Sequence, residues 1–101
     1  MESMSHMLRE KVILITGAGD GIGRVAALEY AKAGATVILL GKTVNKLECV
    51  YDEIIAAGGP QPAIVPLDMK GATKQHYRDL AATIENQFGR LDGLLNNAGI
   101  L

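Results

Sequence analysis

Short, largely apolar runs alternate with longer amphipathic segments along most of the chain. The runs are Val12 to Ile15, Ala35 to Leu40, Ala63 to Leu67 and Leu91 to Asn96. In the first run every position is aliphatic, which is typical of a parallel strand that helices cover on both faces. Each run is bounded by glycine, proline or polar residues, so the pattern predicts four β-strands.

Apolar positions recur every three or four residues in the segments between the runs, which predicts three α-helices. The first spans Gly21 to Ala33, the second begins at Asn45 and the third spans Thr73 to Phe88. Asn45-Lys-Leu-Glu48 resembles a capping box, which places the start of the second helix there. Glycine follows each helix and is expected to end it. The predicted buried positions of the last two helices are Leu47, Val50, Tyr51, Ile54, Ile55, Tyr77, Leu80, Ala81, Ile84 and Phe88.

The alternation of strand and helix, with short connections, predicts an α/β fold of the Rossmann type. We expect three layers, in which a partial parallel sheet of four strands in the order 3-2-1-4 carries helices on both faces. Pro66 lacks an N–H for a neighbouring strand, which predicts the sheet edge or a strand end for its position. The strand order reverses between strands 1 and 4, so a ligand crevice is expected beyond their carboxyl ends. Gly17 to Gly23 and Asn96 to Gly99 would border it.

The composition of the chain argues against several classes of function. The 101 residues are 49% hydrophobic, with a formal charge of −1 and charges of both signs scattered along the chain. No basic stripe indicates a nucleic-acid partner, and no apolar run approaches the roughly 20 residues that span a membrane. One cysteine and two isolated histidines predict neither a disulfide nor a metal site, which favours the cytoplasm. Residues 1–10 are interpreted as a flexible extension or cloning remnant, and residues 11–101 as the structured unit.

A glycine-rich turn, Thr16-Gly17-x-x-x-Gly21-x-Gly23, lies between the first predicted strand and the first predicted helix. A helix N-terminus offers unpaired N–H groups and a positive partial charge, and glycines let a phosphate approach the backbone. The loop therefore predicts binding of a dinucleotide phosphate, with a tight turn that binds nothing as the alternative. A Walker loop is excluded because no Gly-Lys-Ser or Gly-Lys-Thr closes the turn.

This loop spacing resembles the cofactor loop of the short-chain dehydrogenase/reductase family. Asn96-Asn97-Ala98-Gly99 resembles a second segment of that family, which ends the fourth strand and lines the cofactor's ribose. The resemblance covers Lys11 to Leu101 and implies the N-terminal, cofactor-binding half of a Rossmann domain. It also implies an NAD(P)-dependent oxidoreductase that transfers hydride to or from a carbonyl or alcohol substrate.

The resemblance assigns cofactor contacts residue by residue. For Asp68 the alternative is a turn aspartate that only ends the third strand. The implied contacts are Thr16, Gly17, Asp20, Gly21, Ile22 and Gly23 at the pyrophosphate, Asp68 and Met69 beside the adenine, and Asn97, Ala98 and Gly99 on the ribose side.

The residues after the second strand, Gly41-Lys42-Thr43, bear on the choice between NADP and NAD. An acidic side chain there would accept bonds from the ribose 2′-hydroxyl and repel a 2′-phosphate, and none is present. Lys42 resembles the arginine of NADP-preferring relatives, so NADP is the predicted cofactor. Asp20 argues the other way, because a carboxylate near phosphate oxygens is unfavourable. NAD is therefore the alternative, with Lys42 as a solvated surface lysine.

The family's catalytic serine and Tyr-x-x-x-Lys have no counterpart in this sequence. Ser3 and Ser5 lie in the N-terminal extension, and none of the three tyrosines has a lysine four residues later. The resemblance implies that the parent protein is an enzyme. Because these catalytic residues are missing, the 101 residues alone are expected to be inactive. A non-catalytic nucleotide-binding or interaction module is the competing hypothesis.

The fourth strand is internal in the family's complete sheet, so an open edge is predicted for this chain. Leu91 to Asn96 contains no lysine or proline that would discourage pairing with another strand. We therefore expect a homo-oligomer that covers this edge.

Overall fold

Strands and helices alternate along the chain in the computed structural model, which describes residues 7–68, 71 and 73–96. The predicted alternation is confirmed. The strands are β1 (Val12–Thr16), β2 (Thr36–Gly41), β3 (Ala63–Pro66) and β4 (Gly93–Asn96), and the helices are α1 (Gly21–Lys32), α2 (Val44–Ala56) and α3 (Lys74–Phe88).

These strands form a parallel sheet in the order β3-β2-β1-β4, as the sequence predicts. Thr16, the last residue of β1, lies opposite Leu40 of β2 and Asn96 of β4. Leu40 in turn lies opposite Val65 of β3. The carboxyl ends therefore reach one edge of the sheet, where the loops that follow them meet. Pro66 is the last residue of the outer strand β3, so both predicted places for it are confirmed.

Side chains of β1 divide between the two faces of the sheet. Ile13 and Ile15 pack with α1 and α2, whereas Val12 and Leu14 pack with α3. Helices thus bury the strand on both sides, which explains why each of its faces is aliphatic and completes the three layers. The core on the α1 and α2 face also includes Ala27, Ala31, Val37, Leu39, Leu47, Val50 and Ile54, and the core on the α3 face includes Ile38, Leu40, Tyr77 and Ile84.

Local backbone chemistry fixes the ends of α1 and α3. The predicted glycine stops are confirmed, since Gly34 follows α1 with φ 100° and Gly89 follows α3 with φ 79°, both left-handed. α3 begins after Thr73, whose hydroxyl accepts the N–H of His76 while Nδ1 of His76 accepts the N–H of Thr73. This reciprocal pair satisfies two N–H groups at the start of the helix.

The start of α2 differs from the prediction. α2 begins at Val44, and Thr43, which has extended backbone, is its N-cap. The carbonyl of Thr43 accepts the N–H groups of Lys46 and Leu47 at 3.1 and 3.2 Å. The predicted capping box at Asn45 is therefore wrong, because the chain turns into the helix almost directly after β2 and Asn45 already lies inside it.

Asp92 joins the beginnings of β1 and β4. The N–H of Val12 donates to Oδ2 of Asp92 at 2.8 Å, and the N–H of Asp92 donates to the carbonyl of Val12 at 2.8 Å. Arg90 donates to both carboxylate oxygens at 2.7 Å. The Arg90 guanidinium, and after it the Val12 N–H, hold the pKa of the Asp92 carboxyl below its usual range.

Residues 7–10 form a turn before β1. The N–H of Leu8 donates to the carbonyl of Ala33 at 2.7 Å, and the Leu8 side chain packs against the core on the α1 and α2 face. Residues 1–6 lie outside the described residues, so a flexible extension that ends at residue 10 stays a prediction.

Candidate functional site

The loop after β1 is tied to the strands on both sides of it. Thr16 is fully buried, and its hydroxyl donates to the carbonyl of Leu95 in β4 at 3.4 Å. Ala18 is also fully buried, and its N–H donates to the carbonyl of Leu40 in β2 at 3.1 Å. Between them Gly17 has φ 61°, a left-handed conformation that a side chain would strain. The start of the loop is therefore held at the switch in strand order, as predicted.

The first turn of α1 closes the loop. Asp20 is the N-cap residue with extended backbone, yet its side chain makes no capping bond and no acidic residue lies in the first turn. Gly21 has φ 52°, and a Cβ atom added to it would have no neighbour within 4 Å. The first N–H groups of a helix have no acceptor within the helix, so this turn offers donors to an anion.

Lys46 in the first turn of α2 lies against this loop. Its Nζ is 2.7 Å from Oδ2 of Asp20. A Cβ atom added to Gly19 would lie only 2.8 Å from Cβ of Lys46, so the loop can approach the helix because residue 19 is glycine. Lys46 is not among the residues that the sequence motifs predicted for the site. Its position in the sequence could have indicated this contact. Lys46 lies in the first turn of the helix after β2, and that helix starts at the same edge of the sheet as α1 does.

A cleft of about 240 Å³ lies between the loop after β1 and the residues that join β2 to α2. It brings together residues predicted from separate motifs, since Gly17 and Asp20 come from the first loop and Lys42 follows β2. Two cationic side chains and one carboxylate face this cleft, which leaves a formal charge of +1. Its walls include Gly17, Gly19, Asp20, Gly41, Lys42 and Lys46.

The other predicted site residues fall into three groups. Ile22 is 74% exposed in the first turn of α1, whereas the next residue, Gly23, is buried. Asp68 is exposed and lies two residues beyond β3, at the sheet edge that carries the cleft. Four of the predicted contacts lie outside the described residues, namely Met69, Asn97, Ala98 and Gly99.

A wider cleft of about 850 Å³ lies at the opposite edge of the sheet. Its walls include Lys32 at the end of α1, Gly34 after it, and Gly58 and Pro60 after α2. The negative ends of helix dipoles point there, and parallel α/β sheets bind ligands at the other edge. The smaller cleft is therefore the better candidate site for an anionic cofactor.

Two kinds of feature are absent from residues 7–68, 71 and 73–96. No helix among them is long and apolar enough to cross a membrane. No group of three or more His, Cys, Asp or Glu side chains among them could hold a metal ion.

The family model for short chain dehydrogenases matches residues 11–101. The chain belongs to the short-chain dehydrogenase family. The glycine loop, the cleft and the β3-β2-β1-β4 sheet thus lie within the matched region. The resemblance that the two motifs indicated is confirmed.

Individual relatives agree with this assignment. The chain is 47% identical over 95 residues to an uncharacterized oxidoreductase, YciK, from Escherichia coli (strain K12), covering 94% of this chain and 38% of that protein. A short chain dehydrogenase structure from Pseudomonas syringae has a TM-score of 0.84 and 52% identity, over 98% of this chain and 40% of that one. A short chain dehydrogenase from Shigella flexneri 2a str. 301, complexed with NADP, has a TM-score of 0.82 and 46% identity, over 96% of this chain and 41% of that one.

This short-chain dehydrogenase chain therefore spans about two fifths of the length of such relatives. The shared part holds the four-stranded sheet and the loops that follow its strands.

Proposed function

We propose that this chain forms the cofactor-binding half of an NADP-dependent oxidoreductase, which transfers hydride between NADP and a carbonyl or alcohol substrate. The observation that carries the proposal is the cleft in which the glycine loop meets Lys42, with no acidic residue at the end of β2. The NADP complex of the Shigella flexneri relative supports the same cofactor.

The described residues fit a dinucleotide with a 2′-phosphate. The N–H groups of the first turn of α1 would hold the pyrophosphate, and Gly21 would leave room for it. Lys42 is exposed at the cleft and has no ion-pair partner in the part of the chain that the structure describes, so its ammonium would be available to a phosphate. Ile22 would lose part of its exposed apolar surface under the cofactor.

When bound, the nicotinamide ring supplies the hydride chemistry, and the protein binds and orients it. The serine and Tyr-x-x-x-Lys of the family are absent from residues 11–101, so we place substrate activation outside these residues. The 101 residues alone would then bind nucleotide without turnover. We further propose that the 101-residue chain forms a homo-oligomer, because the open edge of β4 needs a partner. A cytoplasmic location is proposed because the sequence has a single cysteine and therefore no internal disulfide.

The first test is binding and turnover by the full-length protein. We expect it to oxidise NADPH in the presence of a panel of aldehydes and ketones, and the 101-residue chain to show no turnover with the same panel. Turnover by the 101-residue chain would contradict the placement of catalysis outside it. Failure of the full-length protein to bind either NADPH or NADH would contradict the proposed function itself.

Lys42→Ala tests the choice of cofactor. Loss of one charge-assisted hydrogen bond to the 2′-phosphate should raise the Kd for NADPH by at least about tenfold, while the Kd for NADH should change little. Isothermal titration calorimetry on the full-length protein measures both constants. Lys32→Ala is the control, because Lys32 is an exposed lysine at the far end of α1. Equal losses for NADPH and NADH would remove the reason for preferring NADP.

A further inference from the structure

Asp20 presents an electrostatic conflict in the proposed NADP site. Its carboxylate lies in the loop that would hold the pyrophosphate and also lines the cleft that would hold the 2′-phosphate. A carboxylate near phosphate oxygens raises the energy of the bound state. The structure places a cation against this carboxylate, since Nζ of Lys46 lies 2.7 Å from Oδ2 of Asp20.

The position of Lys46 is fixed at the base of its side chain and adjustable at the tip. Its Cβ packs where a side chain at residue 19 would stand, so the stem leaves α2 directly beside the loop. The Lys46 and Asp20 side chains are 53% and 73% exposed, so the ion pair lies at the open mouth of the cleft. Exposed pairs of this kind are weak, and a phosphate monoester carries more negative charge than a carboxylate. The ammonium has three N–H donors, so it can bind a phosphate while it stays in contact with Asp20.

We propose that Lys46 is a second specificity-determining cation of this cleft, which binds the ribose 2′-phosphate together with Lys42. Asp20 is a positioning residue, which holds the Lys46 ammonium at the mouth of the cleft before the cofactor binds. This inference rests on the proposed NADP-dependent function. A purely structural role for Lys46, in which it only neutralises Asp20, is the competing explanation.

A comparison of single and double variants separates the two explanations. Lys46→Met removes the ammonium but keeps an unbranched stem against Gly19, and it lowers the formal charge of the cleft from +1 to 0. The double variant Asp20→Asn/Lys46→Met restores the charge to +1 with Lys42 alone. If Lys46 only neutralised Asp20, the double variant would regain the wild-type preference for NADPH.

The experiment measures Kd for NADPH and for NADH by calorimetry on the full-length protein. Lys46→Met should lower the preference for NADPH over NADH about tenfold, and the double variant should stay at this lower preference. The same comparison with adenosine 2′,5′-bisphosphate and adenosine 5′-monophosphate isolates the 2′-phosphate from the nicotinamide half. Lys32→Met is the matched control, because Lys32 also pairs with a carboxylate, Glu29, on an exposed helix surface.

Three outcomes would count against the proposal. An unchanged preference in Lys46→Met, or a recovered preference in the double variant, overturns the role of Lys46 and leaves the proposed function intact. A wild-type protein that binds neither dinucleotide overturns both. Urea unfolding midpoints of the variants should match the wild type, since the ion pair is exposed.

Discussion

Gly21 offers a test of the phosphate loop at the scale of one residue. Its φ of 52° strains any side chain, although the space around an added Cβ is open for 4 Å. Gly21→Val should therefore destabilise the fold by about 1–2 kcal/mol through backbone strain alone. It should also abolish NADPH binding in the full-length protein, because a branched side chain would occupy the space of the pyrophosphate. Calorimetry and urea unfolding measure the two effects separately.

Gly58→Val provides the matched control for this strain. Gly58 has φ 82° and the same open space around an added Cβ, but it lies after α2 at the opposite edge of the sheet. We expect a similar loss of stability and unchanged affinity for NADPH. Equal affinities in the two variants would mean that the dinucleotide binds elsewhere.

The candidate site residues differ in how far sequence alone predicts them. Gly17 and Gly21 were predictable because left-handed backbone at the end of a strand favours glycine, and both have positive φ. Lys42 was predictable from its place directly after β2. Lys46 was not, because its contact with Asp20 joins residues 26 positions apart and depends on the packing of α2 against the loop.

At the scale of elements, Asp92 couples β1 to β4 and should make stability depend on pH. Hydrogen bonds from Arg90 and Val12 lower the pKa of the Asp92 carboxyl in the folded chain. A depressed folded pKa contributes stability that is present above the unfolded value of about 3.9 and is lost as pH falls through the folded value. Asp92→Asn should therefore lower the urea midpoint at pH 7. The difference from wild type should shrink as pH falls below about 4.

Asp52→Asn is the control for this pH dependence, because Asp52 is an exposed carboxylate on α2. Its unfolding midpoint should follow the wild type across the same pH range. A constant difference between wild type and Asp92→Asn from pH 7 to well below the unfolded pKa would show that ionisation of Asp92 is not what stabilises the strand pair.

The sequence predicted which strands and helices exist and in what order. It predicted the ends of these elements and their exposed faces less accurately. Strands β1 and β2 were predictable because apolar runs buried on both faces have few alternatives. Ile55 and Phe88 match the helical spacing of buried positions but are 46% and 38% exposed. Their spacing places both residues at the border of the apolar face of a helix. How much of each side chain is buried there depends on which neighbouring elements pack against it.

At the scale of the whole molecule, the edge of the sheet follows from the strand order. Among the described residues β4 pairs with β1 alone, so its other side presents backbone groups without a neighbouring strand. Leu94 on β4 is 44% exposed and Phe88 at the end of α3 is 38% exposed. Sequence reasoning reached this topology because short, right-handed connections allow few strand orders. It could not supply the exposure of each side chain.

This edge predicts self-association of the purified 101-residue chain. Unpaired strand edges and exposed apolar side chains both favour contact with a second copy, and β4 has no lysine or proline that would oppose pairing. Light scattering should show a mass that rises with concentration. Leu94→Lys should reduce the association by placing a charge on the edge strand, whereas Val25→Lys, at an exposed position of α1, should not. A well-folded wild-type monomer at high concentration would contradict the prediction.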